Sequence, residues 1–348
     1  MEEVAVIRYG EIGVKSARIE REMVQTLRQR IEDRIDSEID YRKVSVQNSR
    51  ITVYSSNPDK AAEKIQHMPG VKSVSPAVRT EPTIEELEKA SEKFDYGETF
   101  GLDVNTGAVG LSSRKIAEQL GSHVEEFSGS SVDLETPETW LHIDFRQKNA
   151  YMYTDKMKGP GGFPAGTQGR YAALISGGID SPVAAYRIMV RGADITPVYF
   201  YNKPIAAEDH FLRFKASVQE LKKFNPSKEW EAYRVDMEEV NKELMSVGKG
   251  RMLLHRALMF KVAEKIAEKE GLSGLVTGES MGQKSSQTGQ NLEITSSQVS
   301  KPVHRPLIGR CKNSVSEEAR KIGTFEKASI NSACRSLSPQ NPSTEMKK

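Results

Sequence analysis

Apolar residues along the chain switch between two spacings, and the switches mark its elements. Val4 to Ile7 reads as a short strand, followed by the loop Arg8-Tyr9-Gly10-Glu11-Ile12-Gly13-Val14-Lys15 and then by Met23, Leu27 and Ile31, four residues apart on one face of a predicted helix. Val44 and Val46, then Ile51 and Val53, alternate as strand residues do, and Ala61 to His67 predicts a second helix closed by Pro69-Gly70. Strand, helix, strand, strand, helix is the order of a ferredoxin-like α+β unit. From Val71 a second group follows: a strand over 71–78, a helix over 83–94 opened by Thr83, a strand near 99–104, a helix over 112–120, and strands over 141–146 and 150–154. Four glycines and two prolines between Lys158 and Gly166 mark a linker and a domain boundary.

Beyond that boundary the pattern is that of a doubly wound α/β sheet. Ala172-Ala173-Leu174-Ile175 has no polar alternation, as expected of a parallel strand covered on both faces. Ser181-Pro182 predicts the start of the next helix with Pro at its first position, and Gly192 its end. Ile195 to Tyr201 is a second strand. Leu254, Leu258, Val262 and Ile266 form the apolar stripe of a helix over 252–269, and 274–277 is a further strand. No internal repeat is found, and the stretch after Ser336 has the polar composition of a disordered tail.

A chain of 348 residues exceeds the roughly 100–200 of one domain, so two or three are expected. The mean hydropathy is −0.54, and no apolar run approaches the ~20 residues of a membrane span. The start lacks a basic stretch ahead of a long apolar segment, so the expectation is a cytoplasmic protein with no membrane partner. Cys311 and Cys334 are the only cysteines, which excludes a disulfide scaffold and a Cys-x-x-Cys metal site and leaves individual thiol chemistry. The net charge of +2 conceals an asymmetry: residues 1–166 carry −6 and residues 167–348 carry +8. The basic half is compatible with a phosphate-rich partner.

The chemistry concentrates in Ser176-Gly177-Gly178-Ile179-Asp180-Ser181, between the buried strand and the next helix. Unsatisfied N–H groups and the dipole at a helix start attract phosphate. Gly177 and Gly178 admit the phosphates close to the backbone, and the Ser176 and Ser181 hydroxyls can donate to them. Asp180 carries the ligand's own sign of charge, which suits it to act through Mg²⁺ or through loop geometry.

The string Leu174 to Tyr186 resembles the PP-loop ATP pyrophosphatases, and within them the tRNA 4-thiouridine synthetase (tRNA uracil 4-sulfurtransferase) family. Further blocks carry the likeness in the family's order: Arg8 to Ile12 with Lys15, Gly159 to Gly162 with Pro164 and Gly166-Thr167, Thr277 to Gln283 with Ser286 to Thr288, and Pro302-Val303 with Arg305 to Ile308. The resemblance implies a ferredoxin-like domain over 1–60, an RNA-binding THUMP α+β domain over 61–166 and a doubly wound PP-loop catalytic domain over 167–348. It implies ATP, with Mg²⁺, as cofactor and tRNA as partner, the C4 oxygen of uridine 8 being adenylated and then replaced by sulfur. Leu174, Ile175, Tyr199, Phe200, Arg256, Gly278 and Gln287 match its ATP-binding positions, with no metal ligands of its own. Cys334 stands where the family has its catalytic-domain cysteine, and Asp180 and Cys334 are the implied catalytic pair. Cys311 falls where an acidic residue is more usual.

No rhodanese domain follows within the 348 residues, so sulfur is expected in trans, as a cysteine desulfurase-type persulfide or as sulfide. A homodimer and a second role in thiamine synthesis stay open. The amino-terminal half is acidic, so RNA capture is expected to lean on Lys249, Arg251, Lys301, Arg305 and Arg310. Two rivals remain: a PP-loop enzyme adenylating a small molecule, and a non-catalytic THUMP RNA-binding protein.

Overall fold

The computed structural model describes residues 1–47, 49–106, 112–146, 148–203, 209–225 and 230–328; Cys334 and the polar tail lie outside them. It divides into two units, Met1–Pro164 and Ala165–Lys348.

The first unit holds β1 (Glu2–Tyr9), α1 (Ala17–Ile35), β2 (Tyr41–Gln47), β3 (Arg50–Ser55), α2 (Pro58–Ile65) and β4 (Val71–Thr80). It continues with α3 (Ile84–Ser91), β5 (Thr99–Asn105), α4 (Ser113–Ser128), β6 (Ser131–Val132), β7 (Thr139–Arg146), β8 (Asn149–Tyr153) and β9 (Met157–Lys158). The helix starts follow their caps. Asn57 accepts from the Lys60 N–H with Pro58 next to it, so α2 begins three residues before the predicted start, and Thr83 accepts from the Glu86 N–H at the start of α3. Residue 60 lies inside α2, whose Ala61, Ala62 and Ile65 share a core with Val71 and Val74 of β4.

The strands form one nine-stranded sheet in the order β2-β3-β1-β4-β8-β7-β5-β6, with β9 against β4. Alternation along the strands gives its two faces different fates. Ala5, Ile7 and Val53 join Leu27, Ile31 and Ile65 of α1 and α2, while Leu141, Ile143 and Met152 join Leu87, Leu120 and Val124 of α3 and α4. Residues of opposite parity, Val4, Val6, Tyr54, Ala77, Tyr151 and Tyr153, form a third layer built from strand residues alone.

The second unit contains β10 (Arg170–Leu174), α5 (Asp180–Val190), β11 (Asp194–Tyr201), α6 (Asp209–Leu221), β12 (Tyr233–Asp236), α7 (Glu238–Leu244), α8 (Arg251–Lys269), β13 (Gly274–Val276), α9 (Gly289–Ser296), β14 (Val303–His304) and α10 (Lys312–Lys321). Its five strands run parallel in the order β12-β11-β10-β13-β14. Ala173 joins the core beneath α5 and α6 and Ala172 the one beneath α8, which is why β10 shows no polar alternation. The order reverses between β10 and β13, and a doubly wound sheet binds ligands outside the carboxyl ends of its strands at that point.

Two local expectations shift. α5 starts at Asp180, so Pro182 is the third helical residue, still within the first turn where no N–H bond is lost. On α8 the buried face is Leu253, Phe260, Ala263 and Ala267, leaving Leu254 exposed.

Candidate functional site

Ser176 to Ile179 bridges the end of β10 and the start of α5, and hydrogen bonds inside the loop fix its shape. The Ser176 N–H donates to Ser181 Oγ at 2.8 Å, the two hydroxyls lie 3.0 Å apart, and the Gly178 N–H donates to Ser176 Oγ at 3.2 Å. No side chain caps the α5 N-terminus, so its N–H groups stay available to an anion.

The glycines act through close approach. A Cβ on Gly278 would lie 2.6 Å from the Ser181 nitrogen, so the segment leaving β13 can cross the start of α5 only as glycine. Gly177 lies similarly against α6, where a Cβ would stand 3.0 Å from the His210 carbonyl oxygen, whereas Gly178 lines the opening. Neither Gly177 nor Gly178 has positive φ.

The cavity between the loop and β13 is lined by Leu174, Ser176, Gly178, Asp180, Ser181, Arg256, Gly278 and Gln287, all foreseen in sequence, together with Met259, Phe260, Thr277, Glu279 and Lys284. Ile175 and Gly177 belong to the same segment but are not among the lining residues; Ile175 packs in the core with residues of α5 and α6. Tyr199 and Phe200 do not reach it: Tyr199 packs with its ring 4.9 Å from that of Phe214, and Phe200 is buried on the opposite sheet face.

Two carboxylates are held by cations. Asp180 accepts from Lys312 Nζ at 2.6 Å on one oxygen and from Gln283 Nε2 at 3.2 Å on the other. Glu279, 1% exposed, accepts from Arg256 on Oε1 and from Arg305 Nε on Oε2, the latter at 2.8 Å. Arg256, Lys284, Arg305 and Lys312 thus outnumber Asp180 and Glu279 and leave a local excess of positive charge. Lys284 has no carboxylate partner among the described residues. Gln287, 5% exposed, presents Oε1 with no hydrogen-bond partner. A buried orphan acceptor is costly, and a nucleotide's N–H or O–H would satisfy it.

Three of the basic residues expected to capture RNA are spoken for. Arg305 is tied to Glu279, Lys301 Nζ donates to the Leu272 carbonyl at 2.9 Å, and Arg310 lies 3.7 Å from Glu318. The sequence alone does not mark Lys312, Gln283 and Glu279 as site residues, although the last two sit inside the Thr277 to Gln283 block. Cys311 precedes Lys312 at the α10 N-terminus, exposed, and hydrogen bonding with Ser314 lowers its thiol pKa.

The residues suit a nucleoside triphosphate: an anion-binding helix start, two backbone close approaches and a cationic surround. Mg²⁺ commonly takes one or two carboxylates and fills its shell with phosphate oxygens and water. Asp180 fits that role, and no cluster of three or more metal-ligating side chains exists among the described residues.

A parallel sheet with reversed strand order and a glycine-rich phosphate loop after its first strand defines a PP-loop nucleotide-binding domain. The profile described as thiamine biosynthesis protein (ThiI) matches residues 166–348, that of the ThiI ferredoxin-like domain residues 4–75, and that of the THUMP domain residues 82–155. The chain belongs to the ThiI family. A probable tRNA sulfurtransferase of Halobacterium salinarum is 34% identical over 97% of this chain and 89% of its own. One from Thermococcus kodakarensis is 32% identical over 94% and 89%. Among solved structures, a 4-thiouridine synthetase–RNA complex with bound ATP shares 30% identity and a TM-score of 0.86 over 99% of this chain and 91% of that one.

Proposed function

We propose that this chain is an ATP-dependent tRNA sulfurtransferase that converts uridine 8 to 4-thiouridine. The observation that carries the reading is the meeting, at the carboxyl ends of β10 and β13, of the Ser176–Ser181 loop, the Gly278 close approach and the four surrounding cations. Family membership and the RNA and ATP in the related synthetase support tRNA and ATP as the substrates.

In this reading the backbone N–H groups of the loop and the α5 start hold the phosphates, Gln287 accepts a hydrogen bond from the nucleoside, and Arg256 and Lys284 offset negative charge. Mg²⁺, held by Asp180 and the phosphates, would neutralise charge as it develops on the leaving group. The uridine C4 oxygen attacks the α-phosphorus, an O–P bond forms, and the bond to pyrophosphate breaks. Sulfur then attacks C4, the C–O bond breaks, and AMP departs with the former carbonyl oxygen. Adenylation is needed because a bare carbonyl oxygen leaves poorly. Cys334 is assigned the sulfur-carrying step by its position in the family pattern: the outer sulfur of a Cys334 persulfide attacks C4, and an external thiol reductant then cleaves the resulting C4–S–S bond, releasing 4-thiouridine and leaving a disulfide.

The test is ATP–pyrophosphate exchange with tRNA carrying uridine or cytidine at position 8. Exchange is expected with uridine only, retained in Cys334→Ser and lost in Asp180→Ala. Exchange that ignores tRNA would point to a small-molecule adenylator and overturn the reading.

A further inference from the structure

The nucleotide cavity has two unlike ends. Leu174, Met259 and Phe260 line it from the sheet face beneath α8, an apolar wall that suits a nucleoside. Ser176, Gly178, Asp180 and Ser181 line it from the side of α5, whose uncapped N–H groups suit phosphate. A nucleoside triphosphate laid across the cavity therefore runs from α8 towards α5, with its β- and γ-phosphates at the α5 start.

Lys284 stands at that second end, and the chain around it is pinned. Gly278 crosses the α5 start, where a Cβ would meet the Ser181 nitrogen at 2.6 Å, and further on Gln283 Nε2 donates to Asp180 Oδ2 at 3.2 Å. The Met281 N–H donates to the Ile308 carbonyl at 3.0 Å, the Gly282 N–H to that of Gln287 at 2.8 Å, and the Gln287 N–H to that of Lys284 at 2.8 Å. The backbone of Lys284 is thus held next to the residue that touches the loop's carboxylate. Its side chain is exposed at the cavity wall, and its ammonium has no hydrogen-bond or charge partner among the described residues. Neither carboxylate lining the cavity is open to it, because each already accepts on both oxygens: Asp180 from Lys312 and Gln283, Glu279 from Arg256 and Arg305. An unpaired lysine is ordinary on a solvated face; on the wall of an anion-binding cavity whose carboxylates are both engaged, it is a cation left for the ligand.

We propose that Lys284 grips the pyrophosphate half of ATP and offsets the charge that half gains as it leaves. When the bond between the α-phosphorus and the bridging oxygen breaks, its electron pair goes to the departing pyrophosphate, and the ammonium stabilises that charge without giving up a proton. The proposal rests on the ATP site of the reading above and adds to it the residue that tells a triphosphate from a monophosphate. Once pyrophosphate has left, the AMP moiety keeps no contact with Lys284.

The test measures binding of ATP, inorganic pyrophosphate and AMP, each with Mg²⁺, to the full chain by calorimetry at constant ionic strength. Lys284→Gln should weaken ATP and pyrophosphate roughly tenfold and leave AMP within about twofold, with an unchanged melting temperature. Lys284→Arg, which keeps the charge, should recover most of the lost affinity. Lys265→Gln, an exposed position on α8 ~14 Å along the helix from Arg256, should bind all three as wild type does. In ATP–pyrophosphate exchange, the KM for pyrophosphate should rise in Lys284→Gln together with that for ATP. If AMP weakens as much as pyrophosphate, Lys284 serves the shape of the site or its nucleoside end, and the proposal falls. Pyrophosphate binding indifferent to Lys284→Gln also overturns it. These measurements need no tRNA, so nucleoside analysis of tRNA incubated with the same preparations judges the function reading separately. The expected binding pattern without 4-thiouridine would keep the role of Lys284 and overturn the tRNA reading. If wild type binds neither ATP nor pyrophosphate, both fall.

Discussion

Lys312 Nζ donates to Asp180 Oδ1 at 2.6 Å across 132 residues of sequence, so the start of α10 steadies the one carboxylate of the phosphate loop. The pair is half open to water, 47% and 22% exposed at the two side chains, so its net stabilisation is under about 1 kcal/mol. Lys312→Ala should therefore leave the melting temperature nearly unchanged while reducing kcat/KM for ATP–pyrophosphate exchange roughly 10- to 100-fold, about 1.4–2.8 kcal/mol of transition-state stabilisation. Unchanged exchange would remove Lys312 from the site.

Three glycine-to-alanine substitutions should sort by space. Gly278→Ala places a methyl 2.6 Å from the Ser181 nitrogen and should abolish nucleotide binding by displacing the α5 start. Gly178→Ala meets only Ser176 Oγ at 3.4 Å, so the protein should fold normally and lose ATP affinity, because the methyl enters the cavity mouth. Gly289→Ala meets nothing within 4 Å and should be silent. Calorimetry of ATP binding beside thermal melts separates the three.

Glu279 is a buried carboxylate between two arginines. Glu279→Gln keeps the shape but leaves both guanidiniums without their counter-charge, and should cost about 3–5 kcal/mol of stability. Urea unfolding midpoints check this; a loss below about 1 kcal/mol would mean that the arginines find other partners.

The imidazole of His255 is buried on α8 with Nε2 3.1 Å from Asn202 Oδ1, and burial pulls its pKa down to about 4. The folded state therefore holds this histidine neutral where the unfolded chain, near 6.5, takes up a proton. Its contribution is full above about pH 6.5 and is lost as the pH falls towards 4, at most about 3 kcal/mol. His255→Gln should flatten that part of the stability–pH curve, measured by denaturation midpoints between pH 4 and 7.5. An identical slope in the variant would assign the acid sensitivity to other groups.

What could be read from the sequence was local. The phosphate loop, the strand before it and the glycines that follow β13 lie in short segments whose composition states their conformation. Charge partners were hidden by distance, since Lys312 reaches Asp180 over 132 residues and Arg256 and Arg305 reach Glu279 over 23 and 26. The phase of α8 was ambiguous because apolar residues occupy most of its circumference, and packing chose Leu253 over Leu254. The side chains of Tyr199 and Phe200 enter cores on opposite faces of the sheet, as adjacent strand residues do, so any contact they make with a nucleotide runs through the strand end.

The central claim is that this chain thiolates tRNA through a nucleotide activated at Ser176–Ser181. Its most direct test incubates the purified protein with unmodified tRNA, ATP, Mg²⁺ and sulfide, followed by nucleoside analysis. 4-Thiouridine should form with wild type and ATP, and not with Asp180→Ala or without ATP. Absence of 4-thiouridine with wild type, or equal amounts with Asp180→Ala, would contradict the claim.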